Sequence, residues 1–143
     1  MNKIITAAEA ANLIKDNDFV ATTGTSGLAG LPEELIVSIG ERYKKEQRPK
    51  NITFMNGSGI GINTEGRGMD HIAQEGLVKR VISGHAGFSH RMSKFIVEDK
   101  VEAYFLPQGV ITQLWRSIAG KKPGVITKVG LNTFMDPRIQ GGK

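Results

Sequence analysis

The chain has 143 residues and no cysteine, which suits a single domain and excludes a disulfide framework, a thiolate nucleophile and a cysteine-based zinc site. No apolar run approaches the ~20 residues that span a bilayer and no signal-peptide core is present, so we expect a cytoplasmic protein with no membrane partner. The formal charge of +5 favours anionic ligands, but the basic residues are scattered and do not alternate with aromatic ones, which argues against nucleic-acid binding.

The predicted elements alternate between strands and helices along the chain. Short runs rich in β-branched and aromatic residues predict strands, and apolar residues at helical spacing predict helices between them. A capping box that begins at Thr6 marks the first helix start, and Pro32 followed by two glutamates marks the second. The strands are expected at residues 19–23, 51–55, 77–82, 102–106 and 125–129, and the helices at 7–14, from 32 onward, and at 69–75, 89–97 and 110–119.

This alternation predicts an α/β fold with an open, mostly parallel sheet and helices on both faces. Such sheets bind ligands outside the carboxyl ends of the strands, where short loops present backbone amides. Three of these loops are rich in glycine, at residues 24–30, 57–68 and 83–87. The sequence after the last predicted strand is irregular and adds no element to the sheet, so we expect a truncated, incomplete domain.

The first glycine-rich loop joins a strand to a helix, so its amides can face an anion near the helix N-terminus. Its glycines recur at a spacing of three, which favours ligand binding over the alternative of a strained turn that needs glycine. The dinucleotide pattern GxGxxG and the phosphate-binding pattern GxxxxGKS/T are both missing from it, so hydride transfer and ATP hydrolysis lose support. The candidate ligand-binding residues are Gly24, Thr25, Ser26, Gly27 and Gly30.

The second loop offers a similar arrangement through Gly57 and Ser58, although no sharp helix start follows it. Neither Ser26 nor Ser58 lies in the GxSxG elbow of serine hydrolases. The three histidines lack the spacing of metal ligands and the pattern HExxH is missing, so we expect surface or helix-end histidines and no metal. No two glutamates are held together by local spacing, so an acid–base pair cannot be argued from the sequence.

A glutamine lies at the end of the fourth predicted strand, in the segment Leu106-Pro107-Gln108-Gly109. Its amide can donate to a carbonyl or carboxylate oxygen without adding charge, which suits a site where negative charge develops during acyl transfer. The alternative is a glutamine that only caps the following helix or supports the turn. Gln108 and Gly109 are therefore candidate substrate-binding residues.

Taken together, these loops resemble the N-terminal part of family I CoA-transferases, the group of 3-oxoacid, acetoacetate and propionate CoA-transferases, over the full length of the chain. The opening signature of that family is a strand followed by Gly-Gly-Phe, three residues and Gly-x-Pro. Gly24, Gly30 and Pro32 match this signature, whereas Thr25 and Ser26 replace the second glycine and the phenylalanine.

Two later segments extend the resemblance. The family's Pro-Gln-Gly, found after a strand, matches residues 107–109, and the glutamine is expected to face the reacting acyl group. Residues 122–130 and 133–138 are similar to the propionate-type branch, in which both halves form one chain.

The resemblance implies transfer of CoA between carboxylates through a glutamyl-CoA thioester. CoA would be a substrate, no separate cofactor is expected, and the partners would be an acyl-CoA and a short-chain carboxylate of fatty-acid or ketone-body metabolism. In the family the nucleophilic glutamate lies in a second α/β domain, and no local glutamate matches its motif. We therefore expect residues 1–143 to be an N-terminal domain that needs the remainder of the same enzyme, that forms a homo-oligomer, and that is inactive alone.

Two alternatives remain open. The chain could be a non-catalytic module of the related sugar-isomerase-like fold that binds a phosphorylated metabolite through the same glycine loops. It could also be a structural remnant that assembles with copies of itself through an unfinished sheet edge. Gln108 discriminates between an enzyme and a sensor, because a sensor has little use for an amide beside a reacting carbonyl.

Overall fold

The computed structural model describes residues 3–24, 30–64 and 66–143. Four parallel strands form one sheet in the order β1 (Phe19–Thr22), β2 (Ile52–Asn56), β3 (Val78–Ser83) and β4 (Glu102–Phe105). Each strand pairs with its neighbour in the sequence, so all four carboxyl ends lie at one edge of the sheet. The predicted α/β class and its parallel sheet are confirmed.

In the described residues, four helices accompany the strands: α1 (Ala7–Asn12), α2 (Glu33–Glu46), α3 (His90–Val97) and α4 (Gln108–Ala119). A short 3-10 helix (Gly68–His71) lies between β2 and β3. Within the described part of the chain, no helix is long and apolar enough to cross a membrane.

The first helix start is formed as the sequence predicts. Thr6 Oγ1 accepts a hydrogen bond from the Glu9 amide at 3.2 Å, and the Glu9 carboxylate accepts one from the Thr6 amide at 2.7 Å. The helix that follows packs on α2, where the Arg42 guanidinium donates to the carbonyls of Ala11 and Ile14 at 2.8 and 2.9 Å. These bonds tie the end of α1 and the residues just after it to α2, where a helix has carbonyls left over from its own bonding pattern.

Both faces of the sheet are covered. Successive residues of β2 point to opposite faces, and side chains on each face are buried. Phe54 is 1% exposed and belongs to the main core together with Ile36 and Ile39 of α2. Met55 is also fully buried but points the other way, and the Trp115 indole of α4 donates to its sulfur at 3.3 Å. Burial of each such side chain contributes about 1.5–3 kcal/mol. Helices therefore lie on both faces, as predicted, and α4 is fixed to the face opposite α2.

The predicted strand at residues 125–129 is wrong, whereas the remaining strands and helices, apart from the one at 69–75, agree with the structure to within two residues at each end. Ile126 is fully exposed, and the outer edge of β4 is occupied by Gly142, whose carbonyl accepts a hydrogen bond from the Phe105 amide at 2.7 Å. A run of β-branched residues forms a strand only where it can pair with a neighbouring strand and pack its side chains against other residues. The segment therefore remains irregular.

The predicted helix at residues 69–75 is also wrong, because only the 3-10 helix Gly68–His71 forms there. The side-chain amide of Gln74 donates to the His71 carbonyl at 2.7 Å and to the Gly40 carbonyl at 3.0 Å. A continuing α-helix would need the His71 carbonyl for the backbone amide four residues later. The glutamine side chain competes for this carbonyl and ties the segment to α2.

Candidate functional site

The candidate site lies at the edge of the sheet where the strands end. Cross-strand pairing places Thr22 beside Asn56 and Ser83 beside Phe105. The chain that follows each of these residues therefore leaves the sheet at the same edge, where parallel sheets bind their ligands. This arrangement brings the described parts of the predicted loops together.

Two buried polar side chains connect the ends of β2 and β3. Ser83 Oγ donates to Asn56 Oδ1 at 2.9 Å, and Asn56 Nδ2 donates to the Met69 sulfur at 3.5 Å. The Ser83 hydroxyl also lies 2.8 Å from the His85 carbonyl. Asn56 and Ser83 are fully buried, so these contacts compensate for their removal from water and fix where the two loops begin.

Glycines at this edge allow the second and third loops to pack against each other and against α4. A methyl group on Gly57 would lie 3.1 Å from the Trp115 ring, and one on Gly84 would lie 3.2 Å from the Gly57 carbonyl oxygen. A methyl group on Gly59 would lie 2.5 Å from the ring of His85. The glycines therefore have a packing role, and Ser58 is the half-buried residue that follows Gly57 in the second loop.

Gln108 is the first residue of α4 and is exposed. Helical spacing places it on the same stripe as Ile111 and Trp115, which pack on the sheet, and the start of α4 lies at the edge where the strands end. Within the described residues its amide has no hydrogen-bond partner. The first backbone amides of α4 also lack partners inside the helix. Gly109 meets no described atom within 4 Å at its Cβ position, so this helix start is open.

The first glycine-rich loop is described only at its two ends. Gly24 has φ of +116° and Gly30 has φ of +64°, and a methyl group on Gly24 would lie 3.1 Å from the Gly30 carbonyl oxygen. Both backbone conformations favour glycine, which supports the alternative of a turn that needs glycine. Thr25, Ser26 and Gly27 lie outside the described residues.

Asp70 organises the wall of the site formed by α3. Its carboxylate accepts a short hydrogen bond from the Ser89 hydroxyl, one from the Arg91 amide at 2.9 Å, and one from the Gly66 amide at 3.1 Å. Asp70 is 1% exposed and thus supplies the negative charge and the acceptor that the start of α3 needs. The role of this aspartate is structural.

Glu33 and the histidines are also engaged with partners. The Glu33 carboxylate accepts from the Gly68 amide at 3.0 Å and lies 2.8 Å from His71 Nε2. His90 Nε2 lies 3.0 Å from Asn63 Oδ1. Across residues 3–24, 30–64 and 66–143, no group of three or more histidine, aspartate or glutamate side chains could hold a metal ion.

Asp136 holds the irregular C-terminal segment together. Its carboxylate accepts from the Arg138 guanidinium at 2.6 and 2.9 Å and from the Asn132 amide at 2.9 Å. The Arg138 guanidinium, followed by these backbone amides, holds the pKa of the Asp136 carboxyl far below its usual range. Because Gly142 bonds the end of β4 at Phe105, this segment stays beside the start of α4.

Comparison with known proteins identifies the family. The coenzyme A transferase family matches residues 4–142. The chain belongs to the coenzyme A transferase family. The resemblance predicted from the glycine loops and from residues 107–109 is therefore confirmed.

Members of this family similar to the chain include acyl-CoA transferases of known structure. The caffeate CoA-transferase of Acetobacterium woodii is 48% identical over all 143 residues, which cover 27% of that protein. The acetate CoA-transferase YdiF of Escherichia coli K12 is 40% identical over 98% of the chain and 26% of its own length. A crystal structure of YdiF from E. coli O157:H7, described as a thioester complex with CoA, superposes with a TM-score of 0.91 at 40% identity, over 97% of this chain and 27% of that one. The chain thus spans about a quarter of the length of these relatives.

The sequence did not single out several residues that shape the site. Asn56, Ser83 and Asp70 are polar residues with buried side chains. A polar residue at the last position of a strand, as in β2 and β3, is a signal that could have identified the first two. The contact from Asp70 to α3 spans 19 residues in sequence, so no local pattern could have indicated it.

Proposed function

We propose that this chain supplies the acyl and carboxylate pocket of a CoA-transferase that moves CoA between carboxylates. The observation that carries the proposal is the exposed Gln108 amide, which has no partner among the described residues and heads a helix at the edge where the strands end. Family membership and the similarity to a transferase described as a thioester complex with CoA support the same chemistry.

In the proposed mechanism, a glutamate carboxylate attacks the acyl-CoA carbonyl and CoA thiolate leaves, which gives a mixed anhydride. The thiolate then attacks the glutamyl carbonyl, the acyl group leaves as a carboxylate, and an enzyme glutamyl-CoA thioester remains. An acceptor carboxylate reverses both steps and departs as its CoA thioester. The Gln108 amide would donate to the acyl oxygen on which negative charge develops.

We infer that the nucleophilic glutamate lies in another part of the enzyme. Of the glutamates near the site, Glu33 is bound to Gly68 and His71, so its carboxylate already serves the fold. We further propose a cytoplasmic homo-oligomer, with CoA as substrate, no separate cofactor, and a short-chain carboxylate as acceptor. The glycines at positions 24 and 30 would let the backbone approach these ligands.

An exchange assay between acetyl-CoA and propionate tests this function. The chain alone should show no exchange, because it lacks the nucleophile. A chimera in which this chain replaces the matching 140 residues of E. coli YdiF should exchange CoA. Turnover by the isolated chain that disappears when a local glutamate is replaced would contradict the division of roles. A folded chimera that binds a phosphorylated metabolite but transfers no CoA would support the sensor alternative instead.

A further inference from the structure

His85 lies just beyond the carboxyl end of β3, and its ring is held in one orientation. The Gly87 amide donates to Nδ1 at 3.2 Å, and the ring contacts Phe88 edge-on with the centroids 4.8 Å apart. The ring also covers Gly59 so closely that a methyl group there would lie 2.5 Å from Nδ1. The backbone is fixed as well, because the His85 amide donates to Ser83 Oγ at 3.3 Å.

These contacts determine which ring nitrogen can donate. Because Nδ1 accepts the Gly87 amide, the neutral ring carries its proton on Nε2. His71 and His90 each have Nε2 within 3.0 Å of a protein oxygen. Within residues 3–24, 30–64 and 66–143, the Nε2 of His85 has no such partner. His85 is exposed, so this N–H group is available to a ligand.

The position of His85 is close to the proposed acyl site. Ser83 pairs with Phe105, and the Leu106 amide donates to the Ser83 carbonyl at 3.0 Å, so β3 and β4 remain together to their ends. His85 and Gln108 then leave these neighbouring strands at the same edge. Two hydrogen-bond donors that follow adjacent strands suit a carboxylate, whose two oxygens can accept several hydrogen bonds.

We propose that His85 Nε2–H donates a hydrogen bond to an oxygen of the substrate carboxylate, beside the amide of Gln108. This inference rests on the proposed function and adds a second substrate-binding residue to it. The ring contacts distinguish His85 from a surface histidine that rotates freely, because less rotamer freedom is lost when a ligand binds. Gly59 is needed because any larger residue would displace the ring.

Kinetics of the chimera test the proposal. His85→Phe keeps an aromatic ring over Gly59 but removes the donor, so the KM for propionate should rise about ten- to a hundredfold, the effect expected of one hydrogen bond to a charged group. His85→Gln, which restores a donor, should recover part of this loss. His90→Phe is the matched control and should leave the KM unchanged. An unchanged KM in His85→Phe, or a fall in kcat alone, would overturn the inference.

A measurement without turnover examines the same claim. Long-range 1H–15N NMR spectra of the chain at mildly alkaline pH should show His85 as the Nε2–H tautomer, with its Nε2 resonance shifted by added propionate. The Nδ1–H tautomer would overturn the inference even if the substituted chimeras fail to fold. An inactive wild-type chimera would overturn the proposed function and this inference with it, whereas an active one with a normal His85→Phe variant overturns only this inference.

Discussion

The Ser83 hydroxyl donates a hydrogen bond to the Asn56 side-chain oxygen at 2.9 Å, and this contact joins the ends of two neighbouring strands beneath the candidate site. Both side chains are fully buried. The loops that begin one residue later run so close together that a methyl group on Gly84 would lie 3.2 Å from the Gly57 carbonyl oxygen. The buried hydrogen bond between Ser83 and Asn56 thus helps to position the loops at this edge of the sheet.

Replacement of this hydroxyl should destabilise the fold. Ser83→Ala leaves the buried Asn56 oxygen without its donor, which should lower the free energy of unfolding by about 1–3 kcal/mol. Urea unfolding followed by the fluorescence of Trp115, the single tryptophan, measures this change. Thr112→Ala, which removes an exposed helix hydroxyl, is the control and should have little effect. Equal stability of the two variants would show that the contact is unimportant.

Loss of the Asp70 carboxylate should release the start of α3. Asp70→Ala removes the acceptor of the Ser89 hydroxyl and of the Arg91 amide, so unfolding free energy should fall by about 2–3 kcal/mol. Glu34→Ala, at an exposed position of the first turn of α2, should cost less than about 1 kcal/mol. Urea titrations of both variants compare the two effects. If the Glu34 variant lost as much stability, the capping role of Asp70 would be refuted.

Two glycine-to-alanine substitutions should change the stability of the fold in opposite directions. Gly59→Ala places a methyl group 2.5 Å from the His85 ring and 2.6 Å from its carbonyl oxygen, so stability should fall by about 1–3 kcal/mol. Gly109→Ala meets no described atom within 4 Å and lies in α4, where alanine favours the helix by up to about 1 kcal/mol. Thermal unfolding of both variants provides the comparison. A Gly59→Ala protein as stable as the wild type would contradict the described loop packing.

The attachment of the C-terminal segment to β4 should weaken at low pH, because it depends on the ionised Asp136 carboxylate. Its folded-state pKa is lowered, so its contribution is complete above the unfolded value of about 3.9 and is lost as the pH falls through that value towards the lower folded one. Asp136→Asn should therefore speed hydrogen exchange at the Phe105 amide near neutral pH, and its difference from wild type should shrink in acid. Asp99→Asn, an exposed substitution, should behave like wild type. A difference that persists unchanged in acid would contradict this assignment.

Local patterns predicted most of the fold. The capping box of Thr6 and Glu9 depends on residues three positions apart, so it is visible in the sequence. The runs that form β1 to β4 are rich in β-branched and aromatic residues, which is a local signal. Gln108 follows the fourth run as predicted, although α4 begins there and not at residue 110. The loops of the site could be predicted for the same reason, because each follows such a run.

The features that escaped prediction depend on distant residues. The run at 125–129 has strand-like composition, but whether it pairs depends on Gly142, which occupies the edge of β4. The shortening of the helix at 69–75 depends on a side-chain bond from Gln74 to α2. The packing role of Gly57 requires Trp115, which lies far along the chain. Local sequence patterns do not predict such contacts between distant residues.

We propose that the Gln108 amide stabilises the reacting acyl oxygen, and a variant without this amide tests the proposal. In the YdiF chimera, Gln108→Ala should lower kcat/KM for exchange between acetyl-CoA and propionate by about a hundred- to a thousandfold, the cost of one donor at a developing negative charge. Gln113→Ala, at an exposed position on the same helix, should leave exchange unchanged. A folded Gln108→Ala chimera with the turnover of the Gln113→Ala protein would contradict the claim.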